Sequence, residues 1–97
     1  MQIQIRVYHM KPGSLEAFEQ EWRERVVPLR RHFGFEILGA WASEAEDTFV
    51  WIIGHDRDFE AADRAYYMSP ERAAFDPDPA RHILEPRAFL VHPVQLP

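Results

Sequence analysis

Thr48-Phe49-Val50-Trp51-Ile52-Ile53-Gly54 is the stretch whose reading decides the fold. It is too short for a helix of ordinary length and rich in β-branched and aromatic residues, so it reads as a strand. Successive strand side chains point to opposite faces. Phe49, Trp51 and Ile53 therefore share one face, and Val50 and Ile52 share the other. A strand that is apolar on both faces is buried on both faces. Working upstream, Phe35 to Ala42 reads as a second strand, with Phe35, Ile37 and Trp41 opposed to Leu38, Ala40 and Ala42. The acidic turn Ser43 to Asp47 between them is short enough to make an antiparallel hairpin.

Further upstream, residues 2–8 alternate strictly, with Ile3, Ile5 and Val7 on one side and Gln2, Gln4, Arg6 and Tyr8 on the other. This is another strand, ended by Lys11-Pro12-Gly13, with Ser14 placed to cap a helix. From there Leu15, Phe18, Trp22, Val26, Leu29 and Phe33 recur at helical spacing. Glu16, Glu19, Gln20, Arg23, Glu24 and Arg30 fill the remaining surface. Pro28 removes a backbone donor and predicts a kink or an early end, and Gly34 suits a left-handed cap. Downstream, Asp58 is placed to cap a helix over Phe59 to Met68, and Ser69-Pro70 starts a shorter one through Phe75. Residues 87–92 form the last strand, bracketed by Pro86 and Pro93.

The order β-α-β-β-α-β is the split βαβ, or ferredoxin-like, arrangement: an α+β fold with a four-stranded antiparallel sheet and its helices on one face. Residues 1–97 are expected to form a single domain. Two helices cover only one face of the sheet, whereas the strands are apolar on both. The expectation is an isologous homodimer through the second sheet face.

Composition narrows the function classes. With 46% hydrophobic and 13% aromatic residues the chain is too apolar to be disordered. No apolar run reaches the roughly 20 residues that cross a bilayer. Sixteen acidic against 11 basic residues give a net charge of -5, against a nucleic-acid or anionic-membrane footprint. The absence of cysteine excludes disulfides, thiolate nucleophiles and Cys-rich zinc sites. Met1 to Lys11 lacks the continuous apolar stretch of a secretory signal, so the domain is expected to be soluble and cytoplasmic.

Several motifs together resemble the NIPSNAP family, within the larger group of dimeric α+β-barrel proteins. They are Ile5-Arg6-Val7-Tyr8 followed by Lys11-Pro12-Gly13, Trp22 with Val26-Val27-Pro28-Leu29, Gly39-Ala40-Trp41, and Thr48-Phe49-Val50-Trp51. The run Asp63-Arg64-Ala65-Tyr66-Tyr67-Met68-Ser69-Pro70-Glu71-Arg72, with Asp76-Pro77-Asp78-Pro79-Ala80, is similar to one bacterial branch. The resemblance covers about residues 3–93 and implies a homodimer whose sheets meet to form a barrel. It implies no reaction. The fold relatives include cofactor-free monooxygenases, small isomerases and heme-dependent enzymes, and fold-level analogy is weak ground for function.

The strongest chemical candidates are Gln4, Arg6 and Tyr8 on the central strand, where a buried arginine requires a partner. Arg6 reads either as an anion anchor at the floor of a cavity, with Tyr8 as donor, or as one half of a structural ion pair. Trp41 and Trp51, on paired strands, read as an aromatic pocket or as core and interface. Asp63 and Tyr67 share a helical face, with Tyr66 beside them, and form a second candidate patch. His9 and His55 are candidate proton carriers together with Tyr8. They follow antiparallel strands, at opposite edges of the sheet. No histidine pair has metal-binding spacing, no glycine loop cradles phosphate, and neither metal nor cofactor is expected.

The leading expectation is a homodimer binding a small, partly apolar molecule through Gln4, Arg6, Tyr8, Trp41, Trp51 and Tyr67. The alternatives are a cofactor-independent monooxygenase or isomerase acting on an aromatic or polyketide-like compound, with Tyr8, His9 or His55 moving protons, and a purely structural or protein-interaction module.

Overall fold

A computed structural model describes residues 1–97. Strand β1 (Gln2–Met10) leads to helix α1 (Leu15–Glu21), which passes through a π-helical turn (Trp22–Val26) into α2 (Val27–His32). Strands β2 (Phe35–Ser43) and β3 (Thr48–His55) form the hairpin. Helices α3 (Phe59–Met68) and α4 (Pro70–Ala73) and a 3-10 turn (Pro79–His82) precede β4 (Ile83–Val91). The four strands lie in the order β2-β3-β1-β4, all neighbours antiparallel, which is the ferredoxin-like α+β arrangement.

The helices pack on the face that carries Tyr8, Met10, Phe35, Phe49, Trp51 and Ile53, all buried. Leu15, Phe18, Trp22 and Val27 from the first helical stretch and Phe59 and Tyr66 from α3 complete this core. Asp58 caps α3 through the Ala61 N–H, and Ser69 caps α4 through the Arg72 N–H. Ser14 instead turns its hydroxyl to donate to the Lys11 carbonyl, so α1 starts without a side-chain cap.

Three local expectations are corrected. Pro28 does not end the helix, which continues to His32. The helix widens just upstream, and the Val27 N–H reaches back five residues to the Trp22 carbonyl. That widening makes room for a ring that otherwise collides with the carbonyl four residues earlier. The last strand begins at Ile83 and runs through Pro86, which an edge strand tolerates. Finally, β2 is bulged: Ile37 pairs with Ile53 and Gly39 with Ile52, leaving Leu38 as an extra residue. The bulge reverses the side-chain parity of everything after it.

Opposite the helices, cross-strand pairing builds apolar rows. One runs Trp41–Val50–Val7 and ends at Arg87, the next is Ile52–Ile5–Phe89, and a third Ile3–Val91. Ile3, Ile5, Val7, Val50 and Ile52 are half-buried, while Trp41, Phe89 and Val91 are exposed. No helix is long and apolar enough to cross a membrane.

Candidate functional site

Arg6 leaves the central strand on its helix-covered face, between Trp51 of β3 and Ala88 of β4. It is buried, and every direction of its guanidinium meets a partner. Nε donates to Gln4 Oε1 at 2.6 Å, Nη1 to the Tyr67 hydroxyl at 2.9 Å, and Nη2 to Asp63 Oδ1 at 2.9 Å. Asp63 and Tyr67 come from α3, one turn apart on one face, so the strand and helix candidates of the sequence form a single cluster.

A second guanidinium joins them. Arg30 of α2 donates to the same Asp63 oxygen at 2.7 Å and to the Tyr67 hydroxyl at 3.2 Å. It is 1% exposed, with its guanidinium carbon 3.7 Å from the Tyr66 ring centroid and 4.8 Å from that of Phe35. The sequence reading placed Arg30 on the solvated surface, and that is corrected. The signal was present: Arg30 lies four residues after Val26 and eight after Trp22, on the apolar stripe itself. One carboxylate thus serves two arginines, and the cluster keeps one net positive charge.

This electrostatic setting acts on the phenols. Burial raises the Tyr8 pKa above the usual tyrosine value, with the Arg6 charge opposing the rise. Burial likewise raises Tyr66, against the pull of Arg30 and Arg72. Burial works against Arg6 itself, yet its interactions with Tyr8, Tyr67 and Asp63 outweigh that and leave it more firmly protonated than a free guanidinium.

The cluster opens into a cleft of about 440 Å³ between β1, β4, α3 and α4. Gln4, Arg6, Tyr8, Asp63 and Tyr67 form its polar side, Arg72 its rim, and Ile83, Pro86 and Ala88 an apolar side. Arg72 is held by Asp78 at 2.9 Å. Deeper in, a smaller cavity of about 50 Å³ shares Tyr8, Tyr67, Arg72, Ala80 and Ile83 with the cleft and reaches Trp22, Arg30 and Trp51. Glu21 on α1 holds the 3-10 turn behind this region, through Arg81 at 2.7 Å and His82 at 3.1 Å.

Of the residues expected at a site, Gln4, Arg6, Tyr8, Trp51 and Tyr67 come together here. Trp41 does not. The β2 bulge sets it in register with Val50 on the opposite face, 57% exposed, away from Trp51. His9 pairs with Thr48 at one end of the sheet and His55 with Gln2 at the other, and neither lines the cleft. His55 is engaged on both ring nitrogens: Nδ1 accepts from the Arg57 N–H, and Nε2 lies 3.3 Å from the Phe33 carbonyl. With Nδ1 accepting from the Arg57 N–H, Nε2 is the nitrogen left to donate to the Phe33 carbonyl, and His55 ties the α2–β2 junction together. Tyr8 is the one expected proton carrier that the cleft retains. No group of three His, Cys, Asp or Glu residues is arranged to hold a metal ion.

The family model for NIPSNAP matches residues 3–95. Among solved structures, a NIPSNAP family protein of unknown function from Agrobacterium tumefaciens is similar at TM-score 0.87 and 19% identity, over 100% of this chain and 91% of that one. An uncharacterized NIPSNAP domain protein from Burkholderia xenovorans gives 0.81 and 16%, over 97% and 95%. A protein described as an antibiotic biosynthesis monooxygenase gives 0.72 and 18%, over 98% and 100%. At these identities the likeness is one of fold. No curated protein matches the chain.

Proposed function

The chain belongs to the NIPSNAP family, and on that premise we propose that it works as a homodimer, each copy binding a small, partly apolar, anionic molecule in the cleft beside Arg6. The observation that carries this reading is the two-to-one ratio of Arg6 and Arg30 to Asp63 beside a cleft with an apolar second side. A purely structural ion pair needs one arginine. The surplus positive charge, partly shielded from water, favours an anion, and the apolar wall favours a ligand with a hydrophobic body. The homodimer rests on the uncovered rows of the sheet around Ile5, which a second copy of the same face covers most simply.

Calorimetric titration with 2-naphthoate tests the reading against Arg6→Gln. This variant leaves Asp63 one-to-one with Arg30, so the fold is retained while the surplus charge is gone. The expected result is saturable binding to the native protein and at least tenfold weaker binding to the variant. Equal affinity for both removes Arg6 as the anchor.

A second reading, cofactor-independent monooxygenase or isomerase chemistry, draws on Tyr8. Its hydroxyl-bearing ring lines both the cleft and the deeper cavity, and burial holds its proton on against the opposing charge of Arg6. The similar fold described as an antibiotic biosynthesis monooxygenase is consistent with such chemistry. Turnover that survives Tyr8→Phe unchanged removes Tyr8 from this role.

A further inference from the structure

Arg6 and Arg30 bring positive charge to the cleft, but their N–H groups are already engaged. Arg6 donates from Nε, Nη1 and Nη2 to Gln4, Tyr67 and Asp63, and Arg30 donates from its two Nη atoms to Asp63 and Tyr67. The paired N–H fork with which an arginine clamps a carboxylate is therefore spent inside the protein at both residues. The groups that touch a ligand must be others.

Two phenols of the cleft still have a proton to give. The Tyr67 hydroxyl accepts from Arg6 at 2.9 Å and from Arg30 at 3.2 Å. A hydroxyl has two acceptor lone pairs and one O–H, so both lone pairs are taken and the protein offers its proton no acceptor. Tyr8 reaches the same outcome from a different state. It is 7% exposed and lines the cleft. Burial raises its pKa and the neighbouring Arg6 and Trp51 oppose the rise, so it keeps its proton at neutral pH. Yet Arg6 bonds elsewhere and the Trp51 indole N–H bonds to nothing, which leaves the Tyr8 hydroxyl without a partner in the protein. Nor is it sealed away: the unpartnered atoms closed off in the interior are Trp22 Nε1, Arg30 Nε and Trp51 Nε1. The open space that Tyr8 borders is the cleft and the smaller cavity beside it.

Both phenols stand beside the Arg6 guanidinium, so their protons are offered to the same end of the cleft, backed by positive charge that Tyr67 passes on through its hydrogen bonds. Single donors of this kind suit a single oxygen atom. A hydrogen bond gains most where donor and acceptor hold a proton about equally well. A tyrosine phenol, with an ordinary pKa of about 10, matches the oxygen of another phenol or of an enol far better than it matches a carboxylate, at about 4. A ketone or an ether brings an oxygen but no charge to answer the surplus of the Arg6–Arg30–Asp63 cluster.

We propose that the cleft recognises an ionised phenol or enol, an sp² carbon bearing a single O⁻, which accepts from the Tyr8 and Tyr67 hydroxyls while its apolar body lies against Ile83, Pro86 and Ala88. This rests on the cleft reading above and deepens it. It names the anionic group, and it makes Arg6 and Arg30 positioning residues that act through Tyr67.

The probe is 4-nitrophenol, whose phenolate absorbs in the visible and so reports its own ionisation. On the same ring, 4-nitroanisole removes the charge and 4-nitrobenzoate exchanges the single oxygen for a carboxylate. Titrated with protein below its own pKa, 4-nitrophenol is expected to turn yellow on binding. Its pKa falls by at least about one unit, a tenfold preference for the phenolate. The ether and the benzoate are expected to bind at least tenfold more weakly than the phenolate. Tyr8→Phe breaks no hydrogen bond of the protein, so it is expected to melt with the native chain and to weaken the phenolate about tenfold. Tyr67→Phe is expected to weaken it likewise, and Arg6→Gln to return the pKa of the bound probe toward its free value. Where Tyr67→Phe fails to fold, Tyr8→Phe decides alone. Phenolate bound equally by the native protein and Tyr8→Phe, or benzoate bound as tightly as phenolate, overturns the inference. If Arg6→Gln still weakens the benzoate in that case, the cleft reading stands. No binding of any of the three probes at millimolar concentration overturns both.

Discussion

Asp63 Oδ1 accepts from Arg6 at 2.9 Å and from Arg30 at 2.7 Å, and it is the only anion within reach of either. Replacing it by Asn keeps the shape and leaves two buried guanidinium groups facing each other without a counter-charge. Breaking a buried ion pair costs roughly 3–5 kcal/mol. Asp63 is 27% exposed on the cleft side, which places the expected loss at the lower end of that range. Thermal melting of Asp63→Asn is expected to drop by more than about 10 °C; an unchanged midpoint shows that the arginines do not depend on it. Glu21 predicts a different behaviour. The Arg81 hydrogen bond chiefly, against some burial and with help from His82, lowers its carboxyl from 4.5 to about 2. A depressed folded-state pKa adds stability above the unfolded value and loses it as pH falls toward the folded one. Stability contributed by this group is therefore full above about pH 5 and fades between about 4.5 and 2. In Glu21→Gln, the fall in melting temperature over that interval is expected to be shallower than in the native protein. An identical acid slope removes Glu21 from the account. Arg6 was legible from sequence because a lone charge in a strand flanked by apolar strands has to be paired. Arg30 was not, since arginine in an amphipathic helix is ordinarily solvated. Its burial follows from Asp63 and Tyr66, which a different helix brings to it.

At the scale of elements, two irregularities place the site, and each has a local cause. The π turn before Pro28 lets the first helical stretch continue to His32, which carries Arg30 over the sheet. The bulge at Leu38 sends Trp41 to the opposite face, although unbroken alternation groups it with Phe35 and Ile37. Gly39 was the readable sign, because glycine inside a strand often marks a bulge. A Cβ at Gly39 would lie 2.6 Å from Cη2 of Trp41. Trp41 is exposed and can swing aside, so Gly39→Ala is expected to shift the Trp41 indole signal and to change the melting temperature by less than about 5 °C. A much larger loss of stability means that Trp41 is held in place by something packed against it. Strand order, helix order and the caps at Asp58 and Ser69 were readable from periodicity and turn chemistry. The start of β4 was not, because Pro86 argues for a boundary that an edge strand does not impose.

For the whole molecule, the two faces of the sheet differ in what they carry. The helix-covered face holds the arginine cluster and the cleft, and the other is an apolar surface centred on Ile5, with Ile52 and Phe89 beside it. If a second copy covers that surface, Ile5→Glu buries a charge at the interface while leaving the helix-side core untouched. Sedimentation is expected to give a dimer for the native protein and a folded monomer for the variant. A native monomer at micromolar concentration contradicts the pairing. The most direct measurement of the central claim, that an arginine-lined cleft in each copy of a homodimer holds a small organic acid, is the native mass spectrum of the protein as purified. The account predicts the mass of a dimer carrying up to two small acidic adducts, which Arg6→Gln loses. A monomer, a bare dimer, or an adduct that Arg6→Gln retains contradicts it.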